Sequence, residues 1–151
     1  KPNRQELAET VGRELSDDAS LLTAMREINE RGAEWVVVSD GGRALWATSL
    51  SDTYGVQPPR VQVVNPIGCG DCLTAGLADG LQRGWDFLES LQQGVAVAAA
   101  NAERLLPADF DPARVRELQS RVEVKVAAVS CHAGLVAGFS APVAARRDAG
   151  G

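Results

Sequence analysis

The sequence predicts an α/β fold built on a mainly parallel sheet, and three features carry that prediction. Amphipathic helical stretches alternate with short apolar runs along the chain. Trp35-Val36-Val37-Val38 is a continuous, β-branched apolar run, the pattern of a strand covered on both faces. At residues 63–76 an apolar stretch enters a glycine-rich turn and then a helical pattern. The length of 151 residues fits one domain. A chain of this size buries about 68–70% of its unfolded surface, so it needs no disulfide or metal to hold its core.

The elements follow in order. Residues 4–15 read as a helix with Leu7, Val11 and Leu15 on one face. Asn3 is its N-cap, and Glu6 completes a capping box. Residues 18–31 form a second helix through Leu21, Leu22, Met25 and Ile28, with Gly32 as its stop. Strands are predicted at 35–38, 44–48 and, after Pro58-Pro59, at 61–64. Residues 72–83 read as helical. A long helix runs from Asp86, which caps it together with Glu89, to about Leu106, where Pro107 ends it. Asp111 and Pro112 start a short helix, and residues 122–129 read as a last strand.

Composition narrows the function. The net charge of −5 argues against nonspecific nucleic-acid binding, which draws its affinity from cationic side chains on phosphates. Three cysteines are too few for a disulfide framework and point to a reducing, cytoplasmic setting. Residues 126–145 carry no charge and contain Gly134 and Gly138 at GxxxG spacing. Their Ala, Gly and Ser content, with His132 and Pro142, reads as a loosely ordered tail rather than a membrane helix. The chain begins at Lys1 without a Met, as a piece of a longer protein would.

The chemistry concentrates in Val63-Val64-Asn65-Pro66-Ile67-Gly68-Cys69-Gly70-Asp71-Cys72-Leu73-Thr74-Ala75-Gly76. Two glycines let the backbone turn tightly and approach a ligand. The amides of Gly68, Cys69 and Gly70, at a helix N-terminus, suit an anion. Asp71 beside them suits a base that accepts a proton from an attacking hydroxyl. An anion hole next to a base is a layout for phosphoryl transfer. The same pattern also serves as an ordinary strand-to-helix turn with an acidic cap. No GxxxxGK[ST] occurs, so a P-loop is excluded.

Gly68-Cys69-Gly70-Asp71, with Asn65-Pro66-Ile67 before it and Thr74-Ala75-Gly76 after it, resembles the GxGD motif of the ribokinase-like, or PfkB, carbohydrate kinases. Lys1-Pro2-Asn3-Arg4-Gln5-Glu6 resembles that family's KPNxxE segment, and Val37 to Ala44 its nucleotide-binding turn. The wording looks most like the 1-phosphofructokinase and tagatose-6-phosphate kinase branch. The resemblance implies a three-layer α/β/α fold represented by its C-terminal, ATP-side half. It also implies ATP-dependent phosphorylation of a sugar or sugar-phosphate hydroxyl, with Asp71 as catalytic base and Gly68, Cys69 and Gly70 as the anion hole. Asn3 and Glu6 match the NxxE pair that holds Mg2+ through water, in rivalry with their capping-box role. Ser39, Gly41 and Gly42 match the turn along the ATP phosphates, although Ala44 stands where the family has another glycine. Val95 and Asn101 fall where the family lines its adenine pocket. Core packing for Val95 and solvent exposure for Asn101 are the plainer readings.

The resemblance runs from Lys1 to about Leu118, giving a nucleotide-binding half at 1–121 and an unassigned segment at 122–151. It implies that this piece alone is inactive, because the sugar site and lid lie elsewhere; core surface exposed where the rest of such a kinase packs would drive self-association, as in a homodimer. Two rival readings stand beside it. Cys69 and Cys72 form a CxxC at a helix N-terminus, a redox pattern, and with Cys131 and His132 they make a Cys3His zinc set. A non-catalytic nucleotide-binding relic is the other.

Overall fold

The computed structural model describes residues 1–127. The elements are α1 (Arg4–Val11), α2 (Asp18–Glu30), β1 (Val36–Val38), β2 (Leu45–Thr48) and β3 (Thr53–Gln57), then α3 (Cys69–Gln82), α4 (Phe87–Ala102), α5 (Pro112–Gln119) and β4 (Glu123–Val126). The charge-free stretch beyond Ala127, with Cys131 and His132, lies outside the described residues, as does most of the 122–151 segment. Among the described residues, no helix is long and apolar enough to cross a membrane.

The strands form one sheet in the order β1-β2-β3-β4, and every pairing is antiparallel. The parallel sheet expected from the sequence is therefore not what these strands build. The reason is connection length. Residues 39–44 and 49–52 are hairpin-sized links, whereas a parallel pair needs a crossover of a dozen or more residues. Among the described residues the one parallel contact is an isolated bridge between Asn3 and Ser39, closed by the Arg4 amide on Ser39 O at 3.1 Å and the Ser39 amide on Pro2 O at 3.3 Å. It places the chain start against the end of β1.

Side-chain alternation sorts the sheet into two cores. Val36, Val38 and Trp46 face α1 and α2, packing with Leu7, Leu15, Leu21 and Met25. Val37, Leu45, Ala47 and Val56 face the other way, onto Leu73, Leu91, Val95 and Leu118 of α3, α4 and α5. The arrangement is three layers, helix–sheet–helix, and β1 is buried on both faces as its continuous apolar run demands. Trp35 stacks on Phe87 at 3.8 Å and tilts toward Tyr54 at 6.0 Å, closing one end of the second core.

Local signals explain most boundaries. The Asn3–Glu6 capping box starts α1, but Gly12 in the left-handed region stops it at Val11, short of residue 15. Leu15 is still buried, carried by the turn rather than the helix. Helix α3 begins at Cys69, three residues earlier than the sequence pattern suggests, because Gly68 at φ 80° opens it without a side-chain cap. Helix α4 ends at Ala102, before the exposed Leu105 and Leu106. Residues 61–64 are not a strand. Val63 and Val64 are exposed, and the amides of Val64 and Asn65 converge on Ala102 O at 2.7 and 3.1 Å.

A two-pronged ion pair joins the end of α4 to α5. Arg114 Nε donates to Glu103 Oε2 at 2.8 Å, and Nη2 to Oε1 at 2.6 Å. These bonds hold the Glu103 carboxyl below the usual carboxylate range, outweighing partial burial. A depressed folded-state pKa gives stability that is present above the unfolded value, about 4.3, and lost as pH falls through the folded one. Glu103→Gln is therefore expected to lower stability by about 1 kcal/mol at neutral pH. Thermal melts should show that difference shrink steadily as pH falls below about 4.3. A difference that persists at low pH would contradict this assignment.

Candidate active site

The glycine turn is held by two asparagine side chains. Asn65 Nδ2 donates to Leu105 O at 2.8 Å, and its Oδ1 accepts from the Ile67 amide at 3.0 Å. That second bond is an Asx-turn, which bends the chain at Pro66. Asn101, 1% exposed near the end of α4, donates to Ile67 O at 2.9 Å and to Cys69 Sγ at 3.3 Å. Its Oδ1 accepts from the Ala108 amide at 2.7 Å. Among the described residues, Ala108 is the one non-glycine with positive φ, at 61°. Asn101 is thus buried and fully engaged in bracing the turn, the opposite of a solvent-facing residue. Val95, six residues earlier on α4 and so about 9 Å along the axis, is 2% exposed in the α-helical core.

At the α3 N-terminus the amide of Cys69 turns inward to Pro66 O at 3.3 Å, so it is partly withdrawn from the anion hole expected of it. The amides of Gly68, Gly70 and Asp71 have no backbone or side-chain acceptor among the described residues. They are the orphan donors of a helix start, and the helix dipole adds positive potential there. Lys1 supplies a full charge: its Nζ lies 3.4 Å from where a Cβ on Gly70 would stand. Asp71 is exposed in the first turn, with no hydrogen bond or ion pair among the described residues. An ammonium, orphan amides and an unengaged carboxylate therefore meet at one helix end.

The other two motifs reach the same end of the sheet. The Asn3–Ser39 bridge sets the KPNxxE segment directly beside the Ser39–Ala44 turn. In that turn, Gly41 takes φ 58° and the Arg43 amide bonds Asp40 O at 3.1 Å. The turn is also the β1–β2 hairpin link, so the two readings of it coincide. Ala44 does not adopt positive φ, so it replaces a glycine there without strain. Gly41 and Gly42 are exposed and Ser39 is half-buried.

Asn3 and Glu6 hold each other reciprocally, Asn3 N to Glu6 Oε2 at 2.7 Å and Glu6 N to Asn3 Oδ1 at 2.8 Å. Glu6 Oε1 is left without a hydrogen bond, and both residues are exposed. Hard oxygen donors that stay open to water fit a hydrated Mg2+, which needs one or two carboxylates and keeps several waters. The zinc set of Cys69, Cys72, Cys131 and His132 has two members outside the described residues, and among the described residues there is no cluster of three or more His, Cys, Asp or Glu able to hold a metal. Burial, and then the neighbouring Cys69, push the Cys72 thiol up. An activated CxxC needs the reverse shift.

Lys1 and Asn65 stand in the KPNxxE and glycine-turn motifs, which assign neither of them a task. Lys1 was findable as the cation in a segment next to an anion-binding turn. Asn65 was findable from Asn-Pro, which favours turn initiation.

A family model described as pfkB family carbohydrate kinase matches residues 1–114. A putative phosphofructokinase from Staphylococcus aureus is 28% identical, with 83% of this chain and 40% of that chain covered and a TM-score of 0.74. Phosphofructokinase-2 from Escherichia coli, solved with substrates and products, is 26% identical over 80% of this chain and 39% of that one, at a TM-score of 0.71. Ribokinase from Thermotoga maritima, at 21% identity and a TM-score of 0.69, shares the fold over 79% of this chain and 41% of its own. The chain spans about 40% of the length of the solved structures it matches. With three ordered motifs gathered at one end of a three-layer fold and a family match over most of its length, this chain belongs to the pfkB family of carbohydrate kinases.

Proposed function

We propose that the chain is the nucleotide-side part, residues 1–121, of a kinase that moves the γ-phosphoryl group of ATP to a hydroxyl of a sugar or sugar phosphate. The observation that carries this reading is the meeting of Lys1, the orphan amides of Gly68 and Gly70, and the free carboxylate of Asp71 at the start of α3. Asp71 accepts the proton of the acceptor hydroxyl as its oxygen bonds to the γ-phosphorus and the bond to the β–γ bridging oxygen breaks, releasing ADP. Charge on the transferring group faces the α3 dipole, the amides and Lys1, which are fixed before the reaction and need no reorganisation. Ser39, Gly41 and Gly42 lie along the nucleotide. Asn3 and Glu6 would hold Mg2+ through water, and the ion would neutralise phosphate charge. Asn101 and Asn65 act by bracing the turn. The engagement of Asn101 and the burial of Val95 favour these bracing and packing roles over adenine contact.

The chain alone holds the nucleotide without a closed site for the sugar, so turnover by the pure chain with ATP and hexose phosphates is expected at background. The exposed Val63, Val64, Ile67, Leu105 and Leu106 beside the turn supply apolar surface for pairing into a homodimer.

The reading is tested by two variants with opposite signs. Lys1→Ala is expected to weaken Mg·ATP binding about tenfold, as loss of one close charge pair does. Asp71→Asn removes a negative charge beside the phosphates and is expected to bind Mg·ATP at least as tightly as the parent. Equal affinity of Lys1→Ala and parent in a calorimetric titration would contradict the site.

A further inference from the structure

Arg4 occupies a variable letter of the KPNxxE segment, yet its side chain makes more tertiary contacts than either motif residue beside it. Nη1 donates to Leu15 O at 3.1 Å and Asp17 O at 3.2 Å, and Nη2 to Asp18 Oδ1 at 2.5 Å. Its Nε lies 3.0 Å from Asp40 Oδ2 but out of line for a hydrogen bond, so that contact is an ion pair. The side chains are 21% and 28% exposed, which limits screening by solvent. Through its backbone amide, Arg4 also bonds Ser39 O.

Asp40 is the anomaly that makes Arg4 informative. It places a carboxylate between Ser39 and Gly41, inside the turn assigned to the nucleotide phosphates. A free carboxylate there repels a triphosphate. Its other cationic neighbour, Arg43, is 3.8 Å away and 82% exposed, so it neutralises Asp40 weakly.

Resting on the nucleotide reading above, we propose that Arg4 is a positioning residue for the nucleotide turn. It neutralises Asp40 and ties the Ser39–Arg43 turn to the start of α1, so that the turn accepts phosphate. The contacts to Leu15, Asp17 and Asp18 serve a second purpose, anchoring α1 to α2. The two tasks separate in experiment, because only the first involves Asp40.

The test is a calorimetric Mg·ATP titration of the 151-residue chain and of Arg4→Gln, Asp40→Asn, Arg4→Lys and the Arg4→Gln/Asp40→Asn pair, with thermal melts alongside. Arg4→Gln is expected to lose about tenfold in affinity, while Asp40→Asn binds as tightly as the parent or better. The double variant is expected to recover to within about threefold of the parent, although its melting temperature stays low. A purely structural Arg4 would give no such recovery. Arg4→Lys keeps the charge and is expected to bind within about threefold of the parent, a check that does not depend on Arg4→Gln folding. Parent-like binding by Arg4→Gln, or a double variant no better than Arg4→Gln, overturns the proposal and leaves the nucleotide reading intact. Absence of binding by the parent itself overturns both.

Discussion

Gly94→Ala is expected to lower stability by about 3 kcal/mol, the upper end of the usual overpacking cost. Helices α3 and α4 touch through their backbones. A Cβ on Gly94 would lie 2.6 Å from Leu73 O and 3.1 Å from the Leu77 amide. These are main-chain atoms of α3, so no side chain can rotate out of the way. The facing Gly76 is equally closed, at 2.8 Å from Gly94 Cα. Alanine's better helix propensity returns only about 1 kcal/mol. For a chain of this size the net loss should lower the melting point by roughly 5–10 °C. Separating the helices also displaces the first turn of α3, so Mg·ATP affinity should fall with stability. Gly42→Ala is the control. Its Cβ would meet nothing within 4 Å and its φ is not positive, so its melt should match the parent's. A Gly94→Ala melt within 2 °C of the parent, on the order of 0.5–1 kcal/mol, would contradict the packing account.

Gly68→Ala should strike the site more than the core. Gly68 sits at φ 80°, ψ −3°, where a side chain costs about 1–2 kcal/mol. Its Cβ would also stand 3.2 Å from Pro107 Cβ, in the segment that Asn101 holds against the turn. The backbone is expected to relax away from this conformation and shift the Gly68 and Gly70 amides at the start of α3. The expected outcome is a stability loss of about 1–2 kcal/mol and at least a tenfold loss of Mg·ATP affinity. Chemical denaturation and calorimetry on the same sample check both. A variant that loses stability but binds like the parent would show that the amides are not the phosphate site.

Much of this architecture is legible in the sequence because it is set by local rules. The Asn3–Glu6 box, Gly32, Asp86 and Asp111-Pro112 mark helix ends through short-range bonds legible in the chain, whereas the helical pattern reads through the stop at Gly12, to residue 15. The buried β1 is legible because three consecutive valines fit few environments other than a strand covered on both faces. The strand at 53–57 is not legible. Gly55 interrupts its pattern, and the strand shows itself only in its pairing with β2, where Gly55 lies opposite Trp46, and with β4. The strand expected at 61–64 fails for the reverse reason. Its valines have strand propensity, but the Ala102 carbonyl captures the Val64 and Asn65 amides and pulls the segment off the sheet. The short links that make β1, β2 and β3 antiparallel lie in the sequence, but with β3 illegible their hairpin order does not emerge from it, and the β3–β4 pairing joins residues far apart in the chain. At the site, the residue types were legible and their partners were not. Asn101 was visible as a helix residue, but its three contacts to Ile67, Cys69 and Ala108 exist only after α4 docks on the turn. Arg4 reads as an ordinary surface arginine until Asp40 appears beside it.

The most direct test of the account is a calorimetric titration of the purified 151-residue chain with Mg·ATP, with Asp71→Asn measured in parallel and circular dichroism confirming that both are folded. The account predicts saturable binding in the micromolar to millimolar range by the parent and equal or tighter binding by Asp71→Asn. A folded chain that shows no saturable binding at millimolar Mg·ATP would contradict the assignment of the Gly68–Asp71 turn as a phosphate site.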